Sequence, residues 1–233
     1  MREVFPLISE KDLYHLHWGV RPKDADERRR LIETEFKPLR ETLERECLEK
    51  GLLVPKAVYG WWPCRSEKRD LVILDPVDRD REVARLSFPR QAGGKHLCLA
   101  DYFGERDVVG LQCVTVGAGI SELTERLSKA GDYARSYHLH GLAVVTAEAL
   151  ADWVHRRAVR ELGLLPHTGK RFSWGYPACP DLAQHVPVFR LLGVEAAIGA
   201  KLTEAHQIDP EASTAALIVH HPDAEYFHTK GVA

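Results

Sequence analysis

The chain has 233 residues, of which 45% are hydrophobic and 28% charged, with a formal net charge of −2 when its twelve histidines are counted as neutral. That length can bury one large core or two small ones. The near-neutral balance provides no basic field for a polyanion, which argues against nucleic acid as a partner.

In chain order, the segment up to Trp18 mixes charge with Leu7, Ile8, Leu13 and Leu16. A charged stretch, 22–30, leads into a helical pattern over 26–50 in which Leu31, Phe36, Leu39, Leu43 and Cys47 fall near one face. Pro38 should kink this helix or split it in two, and Gly51 is placed to end it. The period then changes. AVYGWWP (57–63), DLVILDP (70–76) and EVARLSFP (82–89) are short β-rich runs closed by proline and read as strands. LCLADYF (97–103) and DVVGLQCVTVGAG (107–119) continue the β character. Helical spacing returns over 121–162 as one broken helix or two, with Ser121 or Thr146 as candidate caps. A loop rich in Gly, Pro and aromatics covers 171–181, a short helix covers 186–192, and 214–227 reads as a final strand and turn. Strand runs and helix runs are largely segregated, which predicts an α+β fold with a mostly antiparallel sheet.

The five cysteines, Cys47, Cys64, Cys98, Cys113 and Cys179, are odd in number, scattered, and form no C-x-x-C pair. They read as reduced thiols of a cytoplasmic protein. The opening residues show no basic region followed by an apolar stretch, and no apolar run approaches the ~18 residues of a membrane span, so neither a secretory signal nor a membrane partner is expected.

Most apparent motifs have a plain structural explanation. VTVGAGIS (114–121) lacks the third glycine of a dinucleotide fingerprint and reads as a strand-to-helix turn. The pairs His15/His17 and His138/His140 lie in helical segments, where residues two apart diverge, so no metal site is expected. His220, His221 and Asp223 have no G-x-S-x-G partner. Cys179, followed by Pro180, suits a rigid turn better than a nucleophile. No residue is expected to act as a catalytic acid, base or nucleophile.

RFSWGYPACPD (171–181) carries more. Arginine grips carboxylates with two parallel bonds. Glycine admits a positive φ or a close ligand. Pro177 and Pro180 stiffen the loop. Such a loop suits a small zwitterion with a flat ring, and it equally suits a structural turn that packs Tyr176.

This loop, Arg171-Phe-Ser-Trp-Gly175-Tyr176-Pro-Ala-Cys-Pro180, resembles the R-x-x-x-G-Y-P-A-C-P signature of the activation domain of cobalamin-dependent methionine synthase. LCLADYF (97–103), AEALADWVH (147–155), GAKLTEAHQIDPEAS (199–213) and HPDAEYF (221–227) are similar to further family segments in the same order, and YGWWP (59–63) extends the likeness upstream. The resemblance implies one C-shaped α+β domain over 1–233, with a central twisted antiparallel sheet flanked by helices. Its helical part would cover about 1–55, and the sheet with an S-adenosylmethionine groove about 56–233. By position, Arg171 would hold the ligand carboxylate. Ser173, Gly175 and Tyr176 would line the groove. Glu148 would meet the polar end, and Tyr226 and Phe227 the adenosine. Three features depart from the family: the N-terminal D-W-T-P-F-F context is replaced by ISEKDLYHLHWGV, where Glu10 or Asp12 stands nearest; R-P-A-P-G-Y becomes R-F-S-W-G-Y; and a closing tyrosine pair becomes Tyr226-Phe227.

The implied activity is that of a methyltransferase component, which presents the methyl group of S-adenosylmethionine for reductive remethylation of cob(II)alamin. Nothing resembles the D-x-H-x-x-G cobalamin motif, so cobalamin would arrive on a partner domain or subunit, with an electron donor such as flavodoxin. The alternative is a non-catalytic S-adenosylmethionine-binding or docking module for a corrinoid protein. An ordinary small-molecule methyltransferase would require a glycine motif and a placed base that the sequence lacks. A purely structural subunit would bind no ligand.

Overall fold

A computed structural model describes residues 1–229; the last four residues of the 56–233 region lie outside the described part. The chain divides into two compact units. The first comprises Met1–Lys56, Val114–Trp153 and Ile208–Thr214; the second comprises Ala57–Cys113, Val154–Gln207 and the chain from Ala215 onward.

In the first unit a π-helical turn, Asp12–His17, precedes α1 (Ala25–Leu31). Asp24 caps α1 by accepting the Glu27 N–H at 2.7 Å. The helical pattern over 26–50 is one continuous rod interrupted by a second π segment, Ile32–Phe36, before α2 (Lys37–Glu49). Pro38, in the first turn of α2, cannot donate to the Thr34 carbonyl, and the widened ladder just before it absorbs that missing bond. Gly51, at φ +61°, ends the helix: the Leu52 N–H donates to Cys47 and the Gly51 N–H to Leu48. The helices α3 (Gly119–Lys129) and α4 (Tyr133–Glu161) are separate, with Gly131 at φ +85° between them. Neither expected cap acts as one. Ser121 lies inside α3, and Thr146 is buried inside α4, its hydroxyl donating to the Leu142 carbonyl at 2.6 Å. Tyr14, Trp18, Phe36 and His138 pack as a ring cluster, and Gly141 lets α4 come close: an added Cβ would sit 3.0 Å from His17 and Trp18.

Most of the main sheet falls within the second unit. The strands are β1 (Lys56–Glu67), β2 (Asp70–Leu74), β3 (Glu82–Ser87), β4 (Asp107–Thr115), β5 (Lys170–Ser173) and, after the short β6 (Lys201–Leu202) and β7 (Ile208–Asp209), β8 (Ser213–Val219). Six of them form one sheet in the order β3-β2-β1-β4-β8-β5. The pairs β1/β2, β2/β3 and β5/β8 are antiparallel, with Cys64 opposite Ile73, Val72 opposite Arg85, and Arg171 opposite Ile218. The fold is α+β, as the segregated pattern predicts. Buried Leu71, Val72 and Ile73 of β2 and Leu217, Ile218 and Val219 of β8 mark interior strands covered on both faces. Ala158 and Val159, near the end of α4, pack on Ile218 with Trp61 and Tyr59 beside them. Gly110 is required there, since a Cβ would lie 2.8 Å from both Ile218 and Trp61. LCLADYF is a correction: its centre is a 3₁₀ turn, Leu99–Tyr102, and only Cys98 and Phe103 beside it are extended. The expected short helix is α5 (His185–Leu192), followed by α6 (Val194–Ile198).

Candidate functional site

The 171–181 segment starts on β5, at one edge of the sheet. Side chains alternate along a strand, so Arg171 and Ser173 share one face and Phe172 takes the other. Phe172 is buried, whereas Arg171 and Ser173 are half-buried. After the strand, Trp174 turns inward and stacks edge-on with buried His185, centroids 5.6 Å apart. Gly175 then adopts φ +89°, a conformation that L side chains strain to reach. The Gly175 N–H donates to the Cys179 carbonyl at 2.9 Å, and the Cys179 N–H donates to the Tyr176 carbonyl at 3.0 Å. Pro177 and Ala178 therefore form the corner of a tight turn, with proline where its fixed φ fits.

The Cys179 thiol is buried and donates to the Ser173 carbonyl at 2.9 Å. Burial pushes its pKa up to about 12. It is an internal clip for the loop and not a nucleophile.

The chain returns past this loop after β8. Glu225 is tied at both its backbone and its side chain: its N–H donates to the Tyr102 hydroxyl at 3.3 Å, and its carboxylate pairs with Lys95 at 2.7 Å. Thr229 donates its hydroxyl to the Pro177 carbonyl at 2.7 Å. Between these anchors Tyr226 meets the Phe172 ring at 5.3 Å and Phe227 meets it at 6.3 Å. Tyr226 stays 67% exposed and Tyr176 61% exposed, while Phe227 is buried. Two solvent-facing aromatic rings thus stand on tethered segments near an arginine-bearing strand, a combination that suits a flat, partly charged ligand.

Of the seven residues expected at the site, Arg171, Ser173, Gly175, Tyr176, Tyr226 and Phe227 all belong to the second unit. Glu148 belongs to the first, half-buried on α4. Its charge is felt by His17, as is that of Asp12, although burial is the main cause that holds the His17 pKa down, followed by neighbouring His140. Glu10 lies 3.7 Å from Arg40. The His15 Nδ1–H donates to the Val20 carbonyl at 2.7 Å. Among the described residues no three His, Cys, Asp or Glu side chains cluster for a metal ion. No helix of the described chain is long and apolar enough to cross a membrane.

Sequence reasoning missed Phe172, Tyr102, Lys95 and Thr229 as parts of this surface. Phe172 had a signal in the alternation of β5. The other three act through contacts more than fifty residues apart in the chain, which no local pattern encodes.

Comparison with known proteins identifies relatives of this chain. Residues 32–233 match the family model described as the vitamin B12 dependent methionine synthase, activation domain. Methionine synthase of Mycobacterium tuberculosis is 36% identical over 95% of this chain, and that of Mycobacterium leprae is 34% identical over 95%. The chain spans only 21% of the length of each of these relatives. A solved structure described as the MetH reactivation domain bound to AdoHcy shares the fold, with a TM-score of 0.82, 24% identity, and coverage of 98% of this chain and 78% of the other.

Proposed function

Because the chain belongs to the vitamin B12 dependent methionine synthase activation-domain family, we propose that it binds S-adenosylmethionine and holds the sulfonium methyl in position for the reductive remethylation of cobalamin. In this reading it is a methyltransferase component. Reduced cobalamin, carried by a partner domain or subunit, supplies the nucleophile, and a donor such as flavodoxin supplies the electron.

The observation that carries the reading is the pairing of β5 with two tethered, exposed tyrosines. The Arg171 guanidinium offers the ligand carboxylate two parallel bonds. The Ser173–Gly175 backbone lines the ligand. The Tyr176 and Tyr226 rings provide flat faces for a purine and π-electrons for a sulfonium. Phe172, itself packed against Phe227, supports the Tyr226 ring. The solved neighbour's bound AdoHcy is the demethylated form of the same ligand. A sulfonium donor and a strong nucleophile need no general base, so the chain's task is orientation.

Titration calorimetry tests the reading. Saturable one-site binding of S-adenosylmethionine, weakened about tenfold or more in Arg171→Ala, is expected. Methyl transfer in a mixture with a cobalamin-bearing partner and a reductant is then required; binding without transfer would favour the docking-module reading. Absence of binding at millimolar ligand would overturn both.

A further inference from the structure

A second cleft, of about 710 Å³, opens in the sheet-bearing unit where β1, the β2 end and the β4 start meet. Its apolar lining includes Pro63, Leu74 and Val108, and its polar lining includes Arg65, Arg79 and Arg106 together with Asp80, Glu105 and Asp107. None of these residues belongs to the surface formed by β5 and the Tyr226 segment.

The two loops that bear the outer arginines are tied internally. In the 75–81 loop Asp75 accepts the Val77 and Asp78 N–H groups at 2.8 and 2.9 Å and pairs with Arg81. In the other loop Asp107 accepts the Gly104 N–H at 3.0 Å and the Val108 N–H at 2.7 Å, and lies 3.3 Å from His220. Arg65 is held by Glu67 through Nε at 2.7 Å, an arrangement that leaves its terminal nitrogens uncommitted to that carboxylate. Among the described residues Arg79 and Arg106 have no carboxylate within ion-pair distance. The acids that stabilise these loops are therefore already occupied, and two guanidinium groups on ordered loops remain for a ligand.

We propose that this cleft binds a small phosphate ester of about mononucleotide size. Planar guanidinium forks match phosphate oxygens in pairs. The volume lies within the range of small-molecule sites, and a bare phosphate would leave most of it empty. Asp80 and Glu105, also unpaired among the described residues, disfavour a naked polyanion and provide acceptors for the hydroxyl or amino groups of the ester's organic part. Leu74, Val108 and Pro63 receive its apolar face.

The probes are UMP, uridine and inorganic pyrophosphate, titrated calorimetrically into the intact chain in the presence of excess S-adenosylhomocysteine to occupy the other surface. UMP should bind at one saturable site. Arg79→Ala/Arg106→Ala should weaken it about tenfold or more, and uridine and pyrophosphate should both bind at least several-fold more weakly than UMP. The substituted side chains are exposed, and an unchanged thermal melt with unchanged S-adenosylhomocysteine binding would show that the variant is folded. UMP binding that survives the double substitution, uridine binding as tight as that of UMP, or no saturation by about 10 mM UMP would each overturn the proposal. Failure of S-adenosylhomocysteine binding alone would bear on the methyl-donor reading and not on this one.

Discussion

Phe172 meets Tyr226 edge-on, with centroids 5.3 Å apart and planes at 63°, Phe172 being 3% exposed and Tyr226 67%. The buried ring thus fixes the angle at which the exposed one is presented. Substitutions should separate the two roles. Phe172→Ala should cost about 3–5 kcal/mol of stability through lost burial and the cavity left behind. Tyr226→Ala should cost within about 1 kcal/mol, because its ring is mostly outside and the pair itself contributes roughly 0.5–1.5 kcal/mol. It should nevertheless weaken S-adenosylmethionine binding severalfold, with Tyr226→Phe close to wild type. Urea melts and calorimetry on the three variants check this.

The glycines of the loop are required for two different reasons. At Gly169, φ is +73° and an added Cβ would lie 2.0 Å from the Val219 carbonyl oxygen, so Gly169→Ala must separate the start of β5 from β8. At Gly175 the nearest obstacle is the mobile end of Leu182 at 3.2 Å, and the cost is the left-handed backbone itself. Gly175→Ala should therefore lose roughly 1–2 kcal/mol, and Gly175→Asn less. Gly169→Ala should lose more than either in denaturant melts.

All five cysteines are reduced and buried. Burial raises the pKa of the Cys47, Cys113 and Cys179 thiols to about 12 and pushes Cys64 up further. Thiolate is then nearly absent at pH 8, and a thiol-specific disulfide reagent should label the native chain only as fast as it opens. Labelling of all five sites should follow denaturation at once. For Cys179 the donated bond to Ser173 adds a test: Cys179→Ser, which keeps a donor, should retain more stability than Cys179→Ala, by about 1 kcal/mol. Rapid modification of the folded chain at a single site would contradict this assignment.

How far the sequence disclosed this molecule depended on the range of the forces involved. β2 and β3 were legible because β-rich runs closed by proline impose a local period, whereas β1 runs on through Pro63 to Glu67, past the end that this proline suggested. Gly51 was legible because a left-handed C-terminal residue is a local requirement. LCLADYF misled because Leu97, Leu99 and Phe103 alternate like a strand, while burial of Cys98, Leu99 and Ala100 together suits a 3₁₀ turn. Ser121 and Thr146 misled because hydroxyl residues also satisfy themselves inside a helix, as Thr146 does on Leu142. At the candidate site the loop was legible as a motif. Its tethers, Thr229 on Pro177 and Tyr102 on Glu225, are set by tertiary closure, to which no spacing rule applies.

Stability should also fall on mild acidification, and His185 shows why. It is buried between Trp174 and Phe189, and its Nδ1–H donates to the His206 carbonyl at 2.7 Å. Burial is the main cause that lowers its pKa below the usual histidine value; burial likewise lowers His138 and, with His140 as a second cause, His17. In the unfolded chain each histidine takes up a proton near pH 6.5; in the native chain each resists until the pH is lower. The unfolded state therefore binds more protons in that interval. The stabilisation is complete above about pH 6.5 and declines as the pH falls from there towards the folded pKa values, by at most about 1.4 kcal/mol per pH unit for each histidine. Urea melts at pH 7.5 and 5.5 should show the loss, and His185→Gln should be less stable at pH 7.5 with a shallower decline. A stability that is flat or rises between those pH values would mean that these rings are protonated in the native core.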